Sequence, residues 1–149
     1  MTLKTTRRLG AITLLIVGAV HLQQYIGNDY SVLPTIGPLF LLNAIGAGIV
    51  AIGLLAPIER MLGDRRADLV AGLLTVVALA IAVGSLVALF IAESQPLFGF
   101  MEDGYDVPIL IAIVAEALTT ILLVPVAVRN LQEAASGGRP PRARRALSP

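Results

Sequence analysis

The chain has no cysteine, no tryptophan, a single histidine, and charge on only 14% of its 149 residues. Without cysteine there are no disulfides, no iron–sulfur cluster, no thiolate catalysis and no cysteine-ligated zinc. Without tryptophan, the aromatic belt that usually marks a membrane–water boundary must rest on Tyr25, Tyr30 and Tyr105, helped by Phe90, Phe98 and Phe100. One histidine cannot supply bis-histidine haem ligation within a monomer. A Gly-rich phosphate loop, H-E-x-x-H and G-x-S-x-G are also missing. No apolar stretch carries a run of charges, which argues against a primary pump or voltage sensor. Glu102-Asp103 with Asp106 lacks the alternating oxygen-ligand spacing of a calcium loop. Neither a metal nor a cofactor is expected.

What the chain has in excess is hydrocarbon. Its apolar fraction is 56%, above the roughly 45–50% of soluble globular chains. Four apolar stretches run Leu9–Ile26, Ile36–Ala56, Leu69–Ala92 and Val107–Val128. Each approaches the roughly 20 residues that cross a ~30 Å hydrocarbon core, where backbone groups must be satisfied within the segment. The predicted fold is therefore all-α, an integral membrane four-helix bundle. Punctuation agrees. Pro34 and Pro38 bracket the start of the second span and Pro57 closes it. Pro108 falls in a first helical turn, where a missing N–H costs nothing. Pro125 lies near the end of the fourth span, and Gly63-Asp64 and Gly104 mark turns. Gly10, Gly18, Gly46, Gly48, Gly53, Gly72 and Gly84 allow close helix contact, within one bundle or in a homo-oligomer.

Orientation follows from the basic residues. Lys4, Arg7 and Arg8 precede the first span, and Arg60, Arg65 and Arg66 lie between the second and third. Arg129, Arg139, Arg142, Arg144 and Arg145 follow the fourth, completing all eleven. The other two loops hold only acids: Asp29, Glu93, Glu102, Asp103 and Asp106. This bias predicts both termini in the cytoplasm and a plasma-membrane location. The first span is expected to be retained, because no small-x-small cleavage site follows it and it ends in polar His21-Leu22-Gln23-Gln24. Residues 1–8 form a short cytoplasmic N-terminus, 9–128 the four-span domain, and 129–149 a disordered basic tail. Lipid, rather than nucleic acid, is the expected neighbour of that tail.

In lipid the informative side chains are polar ones. His21, Asn43, Ser85 and Glu116 fall in the same half of the bundle, Glu116 deepest at roughly 13 Å from its helix start. A carboxyl group there costs about 2.5–3.5 kcal/mol on insertion scales, so it should face inward and carry chemistry or hold helices together. Ile109, Ala112, Ile113, Thr120 and Leu123 should share its face, with Thr120 one turn away as a hydrogen-bond partner. No lysine or arginine lies within a span, leaving His21 as the sole cationic partner at depth. For His21 itself, beside Gln24 and Tyr25, an interfacial anchor is the competing expectation. For Asn43 and Ser85 it is interhelical bonding. The loop Gln95–Asp106 is too aromatic for a solvated one: Phe98 and Phe100 should dip into the interface or cap the bundle about Gly99, hanging Glu102 over the cluster. Asp29-Tyr30-Ser31-Val32-Leu33-Pro34 also resembles Gly104-Tyr105-Asp106-Val107-Pro108, a faint repeat ahead of two spans.

The stretch His21–Tyr25, then Tyr30 and Pro34–Asn43, with Leu97-Phe98-Gly99-Phe100-x-Glu102 and Glu116, resembles small four-span actinobacterial-type membrane proteins annotated only as hypothetical. The resemblance covers most of residues 10–128 and implies the architecture, but no activity. A looser similarity to DoxX-like four-helix proteins rests on topology alone.

The function expected is that of a small accessory or carrier-like membrane protein. It would hold an apolar or amphipathic molecule with His21, Asn43, Ser85, Glu102, Glu116 and Thr120. Two alternatives stand beside it: a membrane enzyme doing acid/base chemistry on a lipid-like substrate through Glu116 and His21, or a structural subunit of a larger membrane complex.

Overall fold

A computed structural model describes residues 2–62, 64–102 and 104–135. The described chain is helical: α1 Leu3–Gly27, a 3-10 turn Tyr30–Val32, α2 Ile36–Leu55, a short α3 Ile58–Leu62, α4 Asp64–Ser94 and α5 Val107–Ala135. Four of these helices are long and apolar enough to cross a membrane.

Each boundary has a local cause. Thr2 caps α1, its hydroxyl accepting from the Thr5 amide at 3.3 Å. Pro57 ends α2 by removing the next donor. Asp106 Oδ1 accepts from the Ile109 amide at 2.9 Å and caps α5 just ahead of Pro108. The helices outrun the apolar stretches. Lys4, Arg7 and Arg8 lie on the first turns of α1, so residues expected as an N-terminal extension are helical from Leu3. Likewise α5 continues through Pro125 to Ala135, so the start of the segment expected to be a disordered tail is helix. Residues 136–149, with Gly63 and Asp103, lie outside the described residues.

The long helices form a ring. α1 packs extensively on α2 and α5, and α5 on α4. The ring closes through a thinner α2–α4 seam, and α1 and α4 meet only marginally across a diagonal. The core between them is small and dry: Ala11, Leu14 and Val17 of α1, Ala47, Ala51 and Leu54 of α2, Ala78 of α4 and Leu123 of α5. Helices approach closely where side chains vanish. A Cβ on Gly18 would sit 3.1 Å from both the Ala44 carbonyl and the Ala47 methyl, so α1 and α2 nearly touch there. Leucine, isoleucine and valine cover the outside instead: Leu42, Ile49, Leu73, Val87, Val114 and Ile121 are all exposed. A surface of that kind suits acyl chains, and the architecture is compatible with a transmembrane helical bundle.

The hydroxyls away from the loop-bearing end stay local, with one exception. Thr13 donates to the Gly10 carbonyl at 2.9 Å and Thr75 to the Ala71 carbonyl at 2.7 Å. Thr119 shares its one proton between the Ala115 carbonyl at 2.7 Å and Thr13 Oγ1 at 2.8 Å, tying α5 to α1.

Two connections build the end that carries the site. Before α2, Asp29 adopts a left-handed φ of 58°, and the 3-10 turn swings Tyr30 inward to a buried position. A Cβ on Gly37 would lie 2.6 Å from the Tyr30 carbonyl, so only glycine allows the connection to press onto α2. Between α4 and α5, Leu97 and Phe100 exchange backbone hydrogen bonds of 2.7 and 3.0 Å around Phe98 and Gly99, whose φ angles are 54° and 79°. This is the backbone signature of a tight hairpin turn. The Glu102 amide then donates to the Ala92 carbonyl at 3.0 Å and hooks the loop back over α4. The residue before each tyrosine of the faint repeat, Asp29 and Gly104, has positive φ, yet Tyr30 is buried and Tyr105 half exposed.

Candidate functional site

The α1, α2, α4 and α5 helices line a partly open cavity of about 130 Å³ at the end where these two connections lie. Its wall is mostly apolar, with Val20, Leu39, Leu89 and Ala112 among the contributors. Into it converge polar groups from every long helix: His21 and Gln24 of α1, Asn43 of α2, Ser85 of α4 and Glu116 of α5, with Tyr30 and Glu102 from the loops.

His21 and Glu116 form the centre. Glu116 is 1% exposed and His21 8% exposed. His21 Nδ1 lies 2.9 Å from the Val17 carbonyl one helical turn back. A carbonyl only accepts, so Nδ1 carries a proton, and Nε2 is the ring nitrogen on the Glu116 side. Nε2 stands 3.9 Å from Glu116 Oε1. That is beyond direct hydrogen-bonding distance but close enough for one small polar group to touch both. The Ser85 hydroxyl also faces the Glu116 carboxyl.

Asn43 and Ser85 are bonded to each other across the α2–α4 seam, the amide Nδ2 donating to Ser85 Oγ. Ser85 in turn donates to the Ile81 carbonyl at 2.9 Å. The other end of the Asn43 amide, Oδ1, is buried and has no hydrogen-bond partner among the described residues. The expectation of an interhelical tie is met, and the same two residues line the cavity.

The roof is aromatic. His21 stacks obliquely on Phe40 at 5.0 Å between centroids, Phe40 on Tyr30 at 4.7 Å, and Tyr30 on Phe100 at 5.5 Å. The Tyr30 hydroxyl donates to Glu102 Oε2 at 2.8 Å, tying the two connections together over the cavity. Its pKa is pushed well above the ordinary tyrosine value, first by burial, then by this hydrogen bond and the negative charge of Glu102 and Asp106.

Five of the six candidate ligand residues, His21, Asn43, Ser85, Glu102 and Glu116, line this one cavity. Thr120 does not: its hydroxyl donates to the Glu116 backbone carbonyl at 2.8 Å and leaves the carboxyl alone. His21 is no exposed interfacial anchor, because its ring is buried against Phe40. Tyr30 leaves the expected aromatic belt for the interior, and of the loop phenylalanines Phe100 lines the cavity while Phe98 is exposed. Gln24, Tyr30 and Phe40 are site residues that sequence reasoning missed. The nearest signal was the tyrosine placed just before Pro34 in the repeat.

Comparison of the chain with protein-family models, with curated proteins and with solved structures finds no match.

Proposed function

We propose that this is a multi-pass plasma-membrane protein, both termini cytoplasmic, whose bundle binds a small amphipathic molecule as an accessory or carrier-like component. The observation that carries the reading is the convergence of the His21, Asn43, Ser85 and Glu116 side chains, one from each long helix, on one largely apolar cavity. Groups meant only to hold helices together would satisfy one another. Here His21 and Glu116 stand 3.9 Å apart without a direct bond, beside a space sized for a ligand. The orientation is supported by the basic residues: Lys4, Arg8, Arg60 and Arg129 belong to the helix ends opposite the cavity, and the acidic loops cover it.

The test is mass spectrometry of small molecules that co-purify with the protein from native membrane, with Glu116→Gln alongside. A species retained by the natural protein and lost from the variant supports the reading. Retention equal in both, or no species in either, refutes it.

The 3.9 Å approach of His21 to Glu116 favours one second reading, acid/base catalysis on a lipid-like substrate. It predicts that the co-purified molecule is chemically altered on incubation, and that the alteration needs both residues.

A further inference from the structure

The polar groups of the cavity have an unequal hydrogen-bonding balance. Four donors are committed: His21 Nδ1–H to Val17, the Ser85 hydroxyl to Ile81, the Tyr30 hydroxyl to Glu102, and one N–H of the Asn43 amide to Ser85, while the Gln24 amide oxygen accepts from Asn28. Acceptors are left over. Among the described residues Asn43 Oδ1 is buried without a partner, and both Glu116 and Glu102 bring carboxyl oxygens to the wall. The wall holds, among the described residues, two acids and no lysine or arginine, with His21 its one basic side chain.

We propose that the cavity recognises a small protonated amine with an apolar body, its ammonium N–H groups donated to the Glu116 carboxyl. This names the ligand class of the site described above and rests on that binding reading. An ammonium group supplies three donors and the charge that a buried carboxylate lacks. The faces of Tyr30, Phe40 and Phe100 favour a cation nearby as well as hydrocarbon. The competing classes each fail on one count. An alcohol brings one donor and no charge. A quaternary ammonium brings charge but no N–H for the Glu116 carboxyl. An anion would add negative charge beside Glu102 and Glu116. The volume of about 130 Å³ is close to the ~150 Å³ cavity that accepts benzene, which limits the body to about six or seven carbons.

Three probes of one shape separate these classes: benzylammonium, benzyl alcohol and benzoate. Each is titrated calorimetrically into the full chain in nanodiscs at neutral pH, with empty nanodiscs subtracted for partitioning. Benzylammonium should bind at least about tenfold tighter than benzyl alcohol, and benzoate should not bind, as expected for a charge-assisted hydrogen bond to a carboxylate. Glu116→Gln should remove that preference. Because a Glu116 variant can lose its fold, Asn43→Asp gives an independent arm: a second negative charge at the same cavity should tighten benzylammonium and leave benzyl alcohol unchanged. Benzyl alcohol or benzoate binding as tightly as the amine overturns the ligand class and leaves the binding reading standing. Binding of none of the three also overturns the amine, and the co-purification experiment then decides the binding reading separately.

Discussion

Removing the Tyr30 hydroxyl isolates the tie that joins the two loops. In Tyr30→Phe the ring keeps its stacking on Phe40 and Phe100, while the 2.8 Å bond to Glu102 is lost. A hydrogen bond to a charged group contributes about 1.5–3 kcal/mol net, and the lower end applies because Glu102 is only half-buried. The expected coupling in a double-mutant cycle of Tyr30→Phe with Glu102→Ala is therefore about 1–1.5 kcal/mol, a roughly tenfold change in the opening equilibrium of the loop. Hydrogen exchange reads this directly, because the Leu97, Phe100 and Glu102 amides are all bonded within the folded connection. The sign of the pH dependence follows as well. Tyr30 has its pKa raised in the folded protein, so the tie contributes fully below the ordinary tyrosine pKa of 10.0 and is lost as pH rises beyond it. Exchange at these amides should accelerate at high pH more in the natural chain than in Tyr30→Phe, after correction for intrinsic rates. Additive single variants, with coupling below about 0.3 kcal/mol, would refute the cross-loop tie.

Other outcomes can be stated from the packing. Leu123→Ala removes a fully buried side chain lying against Gly10 and should cost about 2–5 kcal/mol in reversible unfolding from detergent micelles. Thr119→Val deletes the only proton bridging to Thr13 and should cost about 0.6–1.7 kcal/mol in the same assay, while Thr120→Val, which breaks a bond within one helix, should cost less. Because the chain has no cysteine, single substitutions at Thr2 and Tyr105 report topology without background. An impermeant maleimide applied to intact cells should label Tyr105→Cys and spare Thr2→Cys, and the reverse pattern would invert the assigned orientation.

Much of the fold was legible because hydrocarbon solvent leaves so few choices. Long apolar stretches between Pro34, Pro57 and Gly104 had to be helices, and a lone deep carboxyl at Glu116 had to turn inward. Finer features were decided by geometry that composition does not encode. Whether Thr119 or Thr120 crosses to α1 depends on a helix rotation of about 100°, and neighbouring threonines look alike in the sequence. Phe40 was one apolar residue among many on α2 until the ring of helices fixed which side it faced. Tyr30 and Glu102 stand 72 positions apart. They meet because Asp29, Phe98 and Gly99 take left-handed backbone angles, and for Asp29 and Phe98 nothing in the residue type demands that. The helix ends were underestimated for a simpler reason: apolarity marks where lipid would be, whereas hydrogen bonding and capping decide where the helix stops.

The ring of helices is not equally strong on all sides. α1 packs extensively on both α2 and α5, and α5 on α4, whereas α2 and α4 meet through the Asn43–Ser85 amide–hydroxyl bond and a lighter apolar contact. If the bundle is strained, this is where it parts first. The residues holding that seam also line the cavity, so opening the seam and reshaping the chamber are mechanically one event.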